Sequence, residues 1–437
     1  MGEEMVGRDG LRLIRHSRDR SVRERDMRIF GAWVLATALA TGWGASAQQG
    51  QPQAGPQEAN GYTRYELLAP GSGKFRIIYD ITAVRPGAIA FFNPIRKGSL
   101  ATDEQVIDSA SGQPLAFKQV SGEAARTSGL PDADPASDYI RVELPRPVPA
   151  SGGESRMRIL KTYQDAKSYF VDGQEIVFDR GLGIKRNAVV LPPGYALVAC
   201  NYPSQVTQEA DGRLRVSFLN ITPGEAPLKL RAAPMKFAAG PTSIAARLPE
   251  RAKQTRDIVY FLRDPATHAF DLYHDYTEDR AGTGRYVNVV RTGSTATNPS
   301  ARNLDTGEAI PAVHLKGDEI TKAGITDPEL PKIAPDTEVV VFNFKPLKAD
   351  QSIRLRMSET YTDPGRYRLV GDELVFDRSF GRALNAVVLP AGWVLTNSST
   401  PVVVSRTDDG RTRLDFNNAR PDELEVLFTA RRATAGS

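Results

Sequence analysis

Chemistry needs nucleophiles, bases or metal ligands at workable spacing, and this 437-residue chain offers few of them. Of its four histidines, His16 falls in a charged leader, leaving His268, His274 and His314. None begins an H-E-x-x-H motif, because Ala, Asp and Leu follow them. His268 and His274 share one predicted strand, on the face of Phe270 and Leu272. Six residues at about 3.3 Å each set them about 20 Å apart, whereas zinc ligands place their nitrogens about 2 Å from the ion. No metal or cofactor is therefore expected. Cys200 is the lone cysteine, so no disulfide can form within the chain, and its expected place is a small core slot. There is no G-x-S-x-G elbow, no P-loop and no G-x-G-x-x-G turn.

The polar residues that stand out do so because they occur twice. From Tyr163 to Glu225, set against Tyr361 to Glu423, about 28 of 63 positions are identical without a gap. "NAVVLPPG" at 187–194 answers "NAVVLPAG" at 385–392. Upstream, "FRIIYDIT" at 75–82 answers "FDLYHDYT" at 270–277, which puts Tyr79 where His274 falls and marks an aromatic slot. "NPIRKGS" at 93–99 answers "NVVRTGS" at 288–294. The recurring polar sets are Asn93, Arg96 and Ser99 with Asn288, Arg291 and Ser294, and Asp179-Arg180 with Asp377-Arg378. They are candidates for two equivalent ligand sites or a contact between copies. The plainer reading is loop-ordering hydrogen bonds. Tyr195 and Trp393, after the PxG turns, are candidates for stacking on sugar or peptide, with the flank of a core as the plainer home. The recurring acids Asp80/Asp275, Asp165/Asp363, Glu175/Glu373 and Asp179/Asp377 could supply a glycosidase pair. Acids beside turns are more often caps or ion-pair partners.

The elements that must position these residues read as strands. "RLRVSFL" alternates Arg213, Arg215 and Ser217 with Leu214, Val216 and Phe218. Asp211-Gly212 and Asp409-Gly410 supply the positive φ of tight turns, as do Asp172-Gly173 and Gly371-Asp372. "AVVL" is the short apolar run of a strand buried on both faces, ended by Pro192 or Pro390 and turned by Gly194 or Gly392. Helical periodicity is confined to pieces such as "EITKAGI". The expected class is all-β, with two tandem homologous, immunoglobulin-like β-sandwich modules after a signal peptide. The expected boundaries are a leader and signal peptide over 1–47, a flexible linker over 48–60, repeat 1 over 61–237, a connector over 238–256 and repeat 2 over 257–433. Each copy is larger than the roughly 100 residues of one immunoglobulin-type domain, so it is one large sandwich or two smaller ones.

The signal peptide rests on Arg28, the apolar run "IFGAWVLATALATGW" and the small-residue site "ASA" at 45–47. Cleavage is expected after Ala47, and Met27 is the plainer start than Met1. The run is shorter than the roughly twenty residues of a membrane span. Residues 1–47 hold eight Arg and six acids, so they carry +2 of the chain's +4 and leave the mature part near +2. With no basic tract, nucleic acid is not an implied partner. A periplasmic or extracellular location fits, with protein or polysaccharide of the cell envelope as the expected partner.

Three phrases carry a family resemblance: "DPATHAFDLYHDYTE" at 264–278, "LDTGEAI" at 304–310 and "NAVVLPAGWVLTNSSTP" at 385–401. With them copy two resembles the N-terminal β-domain of gluzincin metallopeptidases, especially the glycyl aminopeptidase group. In that family the domain precedes a zinc-bearing catalytic domain. The zinc motif is missing here and no segment remains for such a domain, so no catalytic residue carries over. The resemblance implies a β-sandwich that positions or contacts polypeptide. The resulting expectation is an exported, non-catalytic binding or scaffold protein, with a carbohydrate-active hydrolase using paired carboxylates as the alternative.

Overall fold

The computed structural model describes residues 57–235, 248–253, 256–326, 330 and 332–433. The expected signal peptide and its cleavage site, the linker up to 56 and most of the connector lie outside the described residues. The described residues form one compact unit. No helix among the described residues is long and apolar enough to cross a membrane.

Alternating and β-branched sequence yields strands throughout. In the first half these are β1 (Glu58–Leu67), β2 (Lys74–Ala83), β3 (Ala90–Ile95), β4 (Leu100–Asp108) and β5 (Phe117–Ser121). Helix α1 (Gly122–Thr127) then precedes β6 (Asp138–Glu143), β7 (Ser155–Gln164), β8 (Tyr169–Asp172) and β9 (Glu175–Leu182). The half closes with β10 (Arg186–Val190), β11 (Tyr195–Cys200), β12 (Gln205–Gln208), β13 (Leu214–Leu219) and β14 (Ala226–Pro234). The second half opens with β15 (Arg256–Leu262), β16 (Ala269–Glu278), β17 (Arg285–Val289), β18 (Thr295–Asn303), β19 (Ala309–Ile310) and β20 (Ala312–Lys316). Helix α2 (Asp318–Lys322) falls in "EITKAGI" and leads to β21 (Glu338–Asn343), β22 (Ile353–Thr362), β23 (Tyr367–Val370) and β24 (Glu373–Phe380). The last strands are β25 (Leu384–Val388), β26 (Trp393–Ser398), β27 (Val403–Arg406), β28 (Thr412–Asn417) and β29 (Leu424–Arg432).

The sheet orders of the two halves match strand for strand. The first large sheet runs β12-β13-β10-β1-β2-β7-β4 and the second runs β27-β28-β25-β15-β16-β22-β18, with β19 added at its edge. The smaller sheets are β11-β14-β9-β8 and β26-β29-β24-β23. Each half adds a three-stranded sheet, β3-β6-β5 or β17-β21-β20. The chain is therefore all-β and built of sandwich layers.

The repeated phrase forms an interior strand of each large sheet. All five residues of β10 are buried, and β10 pairs parallel with β1 and antiparallel with β13. β25 does the same between β15 and β28. A strand with partners on both edges and cover on both faces must be apolar along its length. The turn glycines take the expected conformation, with φ of +75° at Gly194 and +78° at Gly392. The cores between sheets are aromatic. Tyr65, Phe75 and Phe178 meet edge-on or tilted in the first half, and Phe376, Phe416 and Phe428 stack in the second.

The halves contact each other through equivalent residues. Arg156 on β7 and Arg354 on β22 occupy matching positions, as do Glu154 and Ser352. Arg156 donates across to Ser352 Oγ (3.0 Å), and Arg354 lies 3.5 Å from Glu154. Glu154 N–H donates to Leu304 O (2.8 Å), and Ser352 Oγ donates to Ser109 O (2.5 Å), Leu304 and Ser109 being equivalents too. Contacts answered in this way define an isologous interface with a pseudo-two-fold axis. At its centre Arg156 forks onto both oxygens of Asp305 at 2.7 Å, with both side chains buried.

Candidate functional site

The recurring polar residues converge on one cavity in each half. The first, of about 580 Å³, has a floor from β1, β2 and β7 (Tyr65, Ile77, Tyr163), one wall from β3 (Phe91–Pro94) and another from the end of β9 (Arg180–Leu182). The second, of about 420 Å³, is built from the equivalent strands β15, β16 and β22, with β17 and the end of β24 as walls. Asn93, Arg96 and Arg180 line the first, and Asn288, Arg291 and Arg378 line the second.

Each buried arginine is held from below by an acid. Arg180 Nη1 lies 2.9 Å from Asp165 Oδ2, which also accepts from Ser99 Oγ (3.2 Å) and Ser168 Oγ (2.7 Å). In the second half Arg378 lies 2.9 Å from Asp363 Oδ2, which accepts from Ser294 Oγ (3.0 Å). Ser99 and Ser294 thus act through the acid rather than at the cavity. The guanidinium planes rest on aromatic rings. Arg180 covers Phe75 and Tyr163, and Arg378 covers Phe270, Tyr260 and Tyr361, at 5.3–5.8 Å.

The asparagine that begins the repeated "NAVVLP" phrase shapes the rim. Asn187 is fully buried on β10 and donates to Ile184 O (2.6 Å), and Asn385 donates to Arg382 O (2.9 Å). Ile184 and Arg382 line the cavities. The repeated Asn therefore pins the turn that forms one edge of each site.

Other walls diverge. In the first half Lys161 is buried, donates to Asn93 Oδ1 and sits 4.9 Å above the Tyr163 ring. Burial pushes its pKa down to about 7. Glu58 meets Tyr79 OH at 2.6 Å, and burial raises its carboxyl above the ordinary range. In the second half Glu359 replaces Lys161, and Arg256 enters from the start of β15. Glu359 Oε2 accepts from Asn288 Nδ2 (2.7 Å), and burial pushes its pKa up to about 7. His274 stands in the slot of Tyr79, and burial, with Arg256 and Arg378 nearby, holds its pKa down at about 3.

The raised Glu359 has a testable sign. Its folded pKa exceeds its ordinary value, so its contribution to stability is present below pH 4.5 and lost as pH rises through 7. Glu359→Gln is expected to gain stability over the parent between pH 4.5 and 8, on the order of 3 kcal/mol. Urea denaturation at both pH values checks this, and an offset independent of pH would contradict it.

Several expected residues lie elsewhere. Asp179 points away from its neighbour Arg180 and pairs with exposed Lys229 at 3.0 Å, and Asp377 is exposed. Trp393 is buried in the core with Arg432 over its ring, and Tyr195 is half-buried against the first core, so neither offers an open stacking face on a cavity. His268 precedes β16 in a left-handed conformation (φ +54°) instead of sharing its strand, and Nδ1 meets Tyr367 O at 2.9 Å. His314 meets Glu338 at 2.7 Å. Among the described residues no group of three or more His, Cys, Asp or Glu is placed to hold a metal. Cys200 is half-buried, with Sγ 3.3 Å from Tyr202 O. Asp80 and Asp275 are forked by Arg158 and Arg356, while Glu175 pairs with Arg231 and Glu373 with Arg431.

The sequence comparison of copies omits Tyr163/Tyr361, Gly183/Gly381 and Glu225/Glu423 from its candidates, although all six line the cavities and recur in the repeat. Lys161 and Arg256 differ from their counterparts, so a search for recurring residues passes over them.

No family model matches this chain, and no curated protein matches it. Solved structures similar to it include the M1 zinc metallopeptidase from Deinococcus radiodurans, at 14% identity and a TM-score of 0.28, over 40% of this chain and 41% of that one. A proposed nutrient binding protein from Legionella pneumophila has 8% identity and a TM-score of 0.24, over 40% of this chain and 66% of that one. The collagen adhesin from S. aureus has 6% identity and a TM-score of 0.15, over 73% and 84%. A zinc metallopeptidase thus stands among the structural neighbours, as the resemblance in copy two leads one to expect, and this chain spans about two fifths of its length.

Proposed function

We propose that this chain is a non-catalytic binding protein of the bacterial cell envelope, with one ligand cavity in each of its two β-sandwich halves. The carrying observation is the convergence of Asn93, Arg96 and Arg180 on one cavity and of their equivalents Asn288, Arg291 and Arg378 on the other. Loop-ordering alone does not require two separated segments to present the same polar groups to the same hollow twice. Both volumes fall in the range of small-ligand sites. The basic flank, apolar run and "ASA" site of residues 28–47 support export, and protein or polysaccharide of the envelope is the partner we propose. The ion pairing of most recurring acids supports binding over hydrolysis, since a general acid must reach the leaving group. Glu359, pushed up to about 7 by burial, is not on the wall of the second cavity, and Glu58, whose carboxyl burial raises on the wall of the first, is taken up by Tyr79 OH.

The rim glycines provide a test. A Cβ on Gly183 meets only Glu225, at 3.7 Å, and one on Gly381 meets only Glu423, at 3.8 Å, and both acids are cavity-lining. Gly183→Trp with Gly381→Trp is expected to plug both cavities without backbone strain. The mature chain and this variant would be titrated calorimetrically with uronic acids, neutral sugars and short peptides. Binding of at least one compound by the parent, weakened tenfold or more in the variant at unchanged Tm, is expected. Binding that survives both plugs, or no binding at all, overturns the proposal.

A further inference from the structure

The second cavity is unusual for how much positive charge it gathers. Arg256, Arg291 and Arg378, on three different strands or their ends, line it together with Arg382 of the rim turn. Arg378 has one nitrogen on Asp363 and its plane over three aromatic rings. Arg291 donates to Ser379 Oγ (3.0 Å) and lies 3.7 Å from Glu423, the one carboxylate on the wall, which also accepts from Ser379 (2.5 Å). Arg256 is different. Its guanidinium packs against the rings of Tyr276 and Tyr286, 5.1 and 5.2 Å from their centroids, the two rings touching each other at 4.9 Å, and its buried Nε has no acceptor. A buried guanidinium N–H without an acceptor is costly. Packing against two adjoining rings holds the guanidinium still and leaves its donors for a ligand.

The remaining groups agree. Burial, and after it the like charge of neighbouring Arg378, lowers the pKa of Arg291 from its ordinary value. His274 stays neutral for the same reasons, and Asn288 and Tyr361 add uncharged polar edges. Tyr260, Tyr286 and Phe380 offer apolar surface for a ring or chain attached to the charged head. The first cavity has Gly61 where Arg256 stands, so the device belongs to the second half alone.

We infer that the second-half cavity binds a small organic anion, its carboxylate held by Arg256 and Arg291 above the Arg378–Asp363 pair and its body against the tyrosines. The inference rests on the binding function proposed above and assigns the ligand class for one of its sites. A planar carboxylate accepts two parallel N–H donors from one guanidinium, the geometry that Arg supplies and Lys does not.

The test uses the full mature chain and D-glucuronate as probe, with D-glucose as its uncharged counterpart and sodium sulfate as an inorganic anion. Calorimetry at low salt is expected to show glucuronate binding at least tenfold tighter than glucose. Arg256→Gln and, separately, Arg291→Gln are expected to weaken it tenfold or more, and Arg256→Lys to recover only part. Gly381→Trp is expected to abolish it, and Gly183→Trp to leave it unchanged. Sulfate binding as tight as glucuronate would overturn the assignment to a carboxylate with an organic body. Equal affinity for glucose and glucuronate, or affinity unchanged in both arginine variants of native Tm, would overturn the inference. If a neutral compound binds in a plug-sensitive way while glucuronate does not, the inference falls and the binding function stands.

Discussion

Replacing Asp363 with alanine is expected to cost about 3–5 kcal/mol of folding stability, because it removes one partner of a buried ion pair and leaves the other charged. Asp363 is fully buried, and Arg378 is nearly so. Arg378 cannot swing to solvent without giving up its contacts over Phe270, Tyr260 and Tyr361. Ser294 Oγ loses its acceptor in the same step. Urea denaturation is the measurement: the midpoint should fall while the slope is kept. The double variant Asp363→Ala with Arg378→Met should recover much of the loss, since removing both charges leaves an apolar side chain among aromatic rings. A loss below about 1 kcal/mol would show that water reaches the guanidinium.

The second large effect lies between the halves. Asp305→Ala is expected to cost about 3–5 kcal/mol, again by stranding a buried arginine. Arg156 forks onto both Asp305 oxygens, and Asp305 Oδ2 also accepts from Arg354 N–H (3.1 Å). One substitution thus removes acceptors from both arginines of the pseudo-two-fold contact. Denaturation followed by near-ultraviolet dichroism should show the midpoint shift. A surface control, Asp422→Ala, takes an exposed acid from an exposed arginine and should change stability by less than about 1 kcal/mol. Equal effects from the two variants would mean that the interface opens to solvent.

What could be read from the amino acids follows the physics of each element. The "AVVL" runs declare a central strand because a segment covered on both faces must be apolar throughout. Their copies declare a shared topology, and the matched sheet orders agree. The short helix α1 has no such mark: six residues complete fewer than two turns, too few for a period to emerge. The cavities were half legible. Asn93, Arg96 and Arg180 recur and do reach one hollow. Asp179 recurs beside Arg180 and does not, since neighbours on a strand face opposite ways. Trp393 is buried, the plainer of the two homes its place after a turn offers, and stacking on a ligand is the reading that fails. Glu359 and Lys161 were invisible to a search for shared letters, although they hold the same place and opposite charge.

The reciprocal contact between the halves carries a consequence for ancestry. Self-complementary surfaces are what two identical molecules use to pair. Outside the unreciprocated Arg156–Asp305 fork, these contacts are of the kind through which two identical copies pair, an assembly set by concentration. Tandem fusion makes the pairing intramolecular and independent of dilution. It also frees the partners from being identical, so that the first half can keep lysine and the second glutamate at the same place in every molecule made.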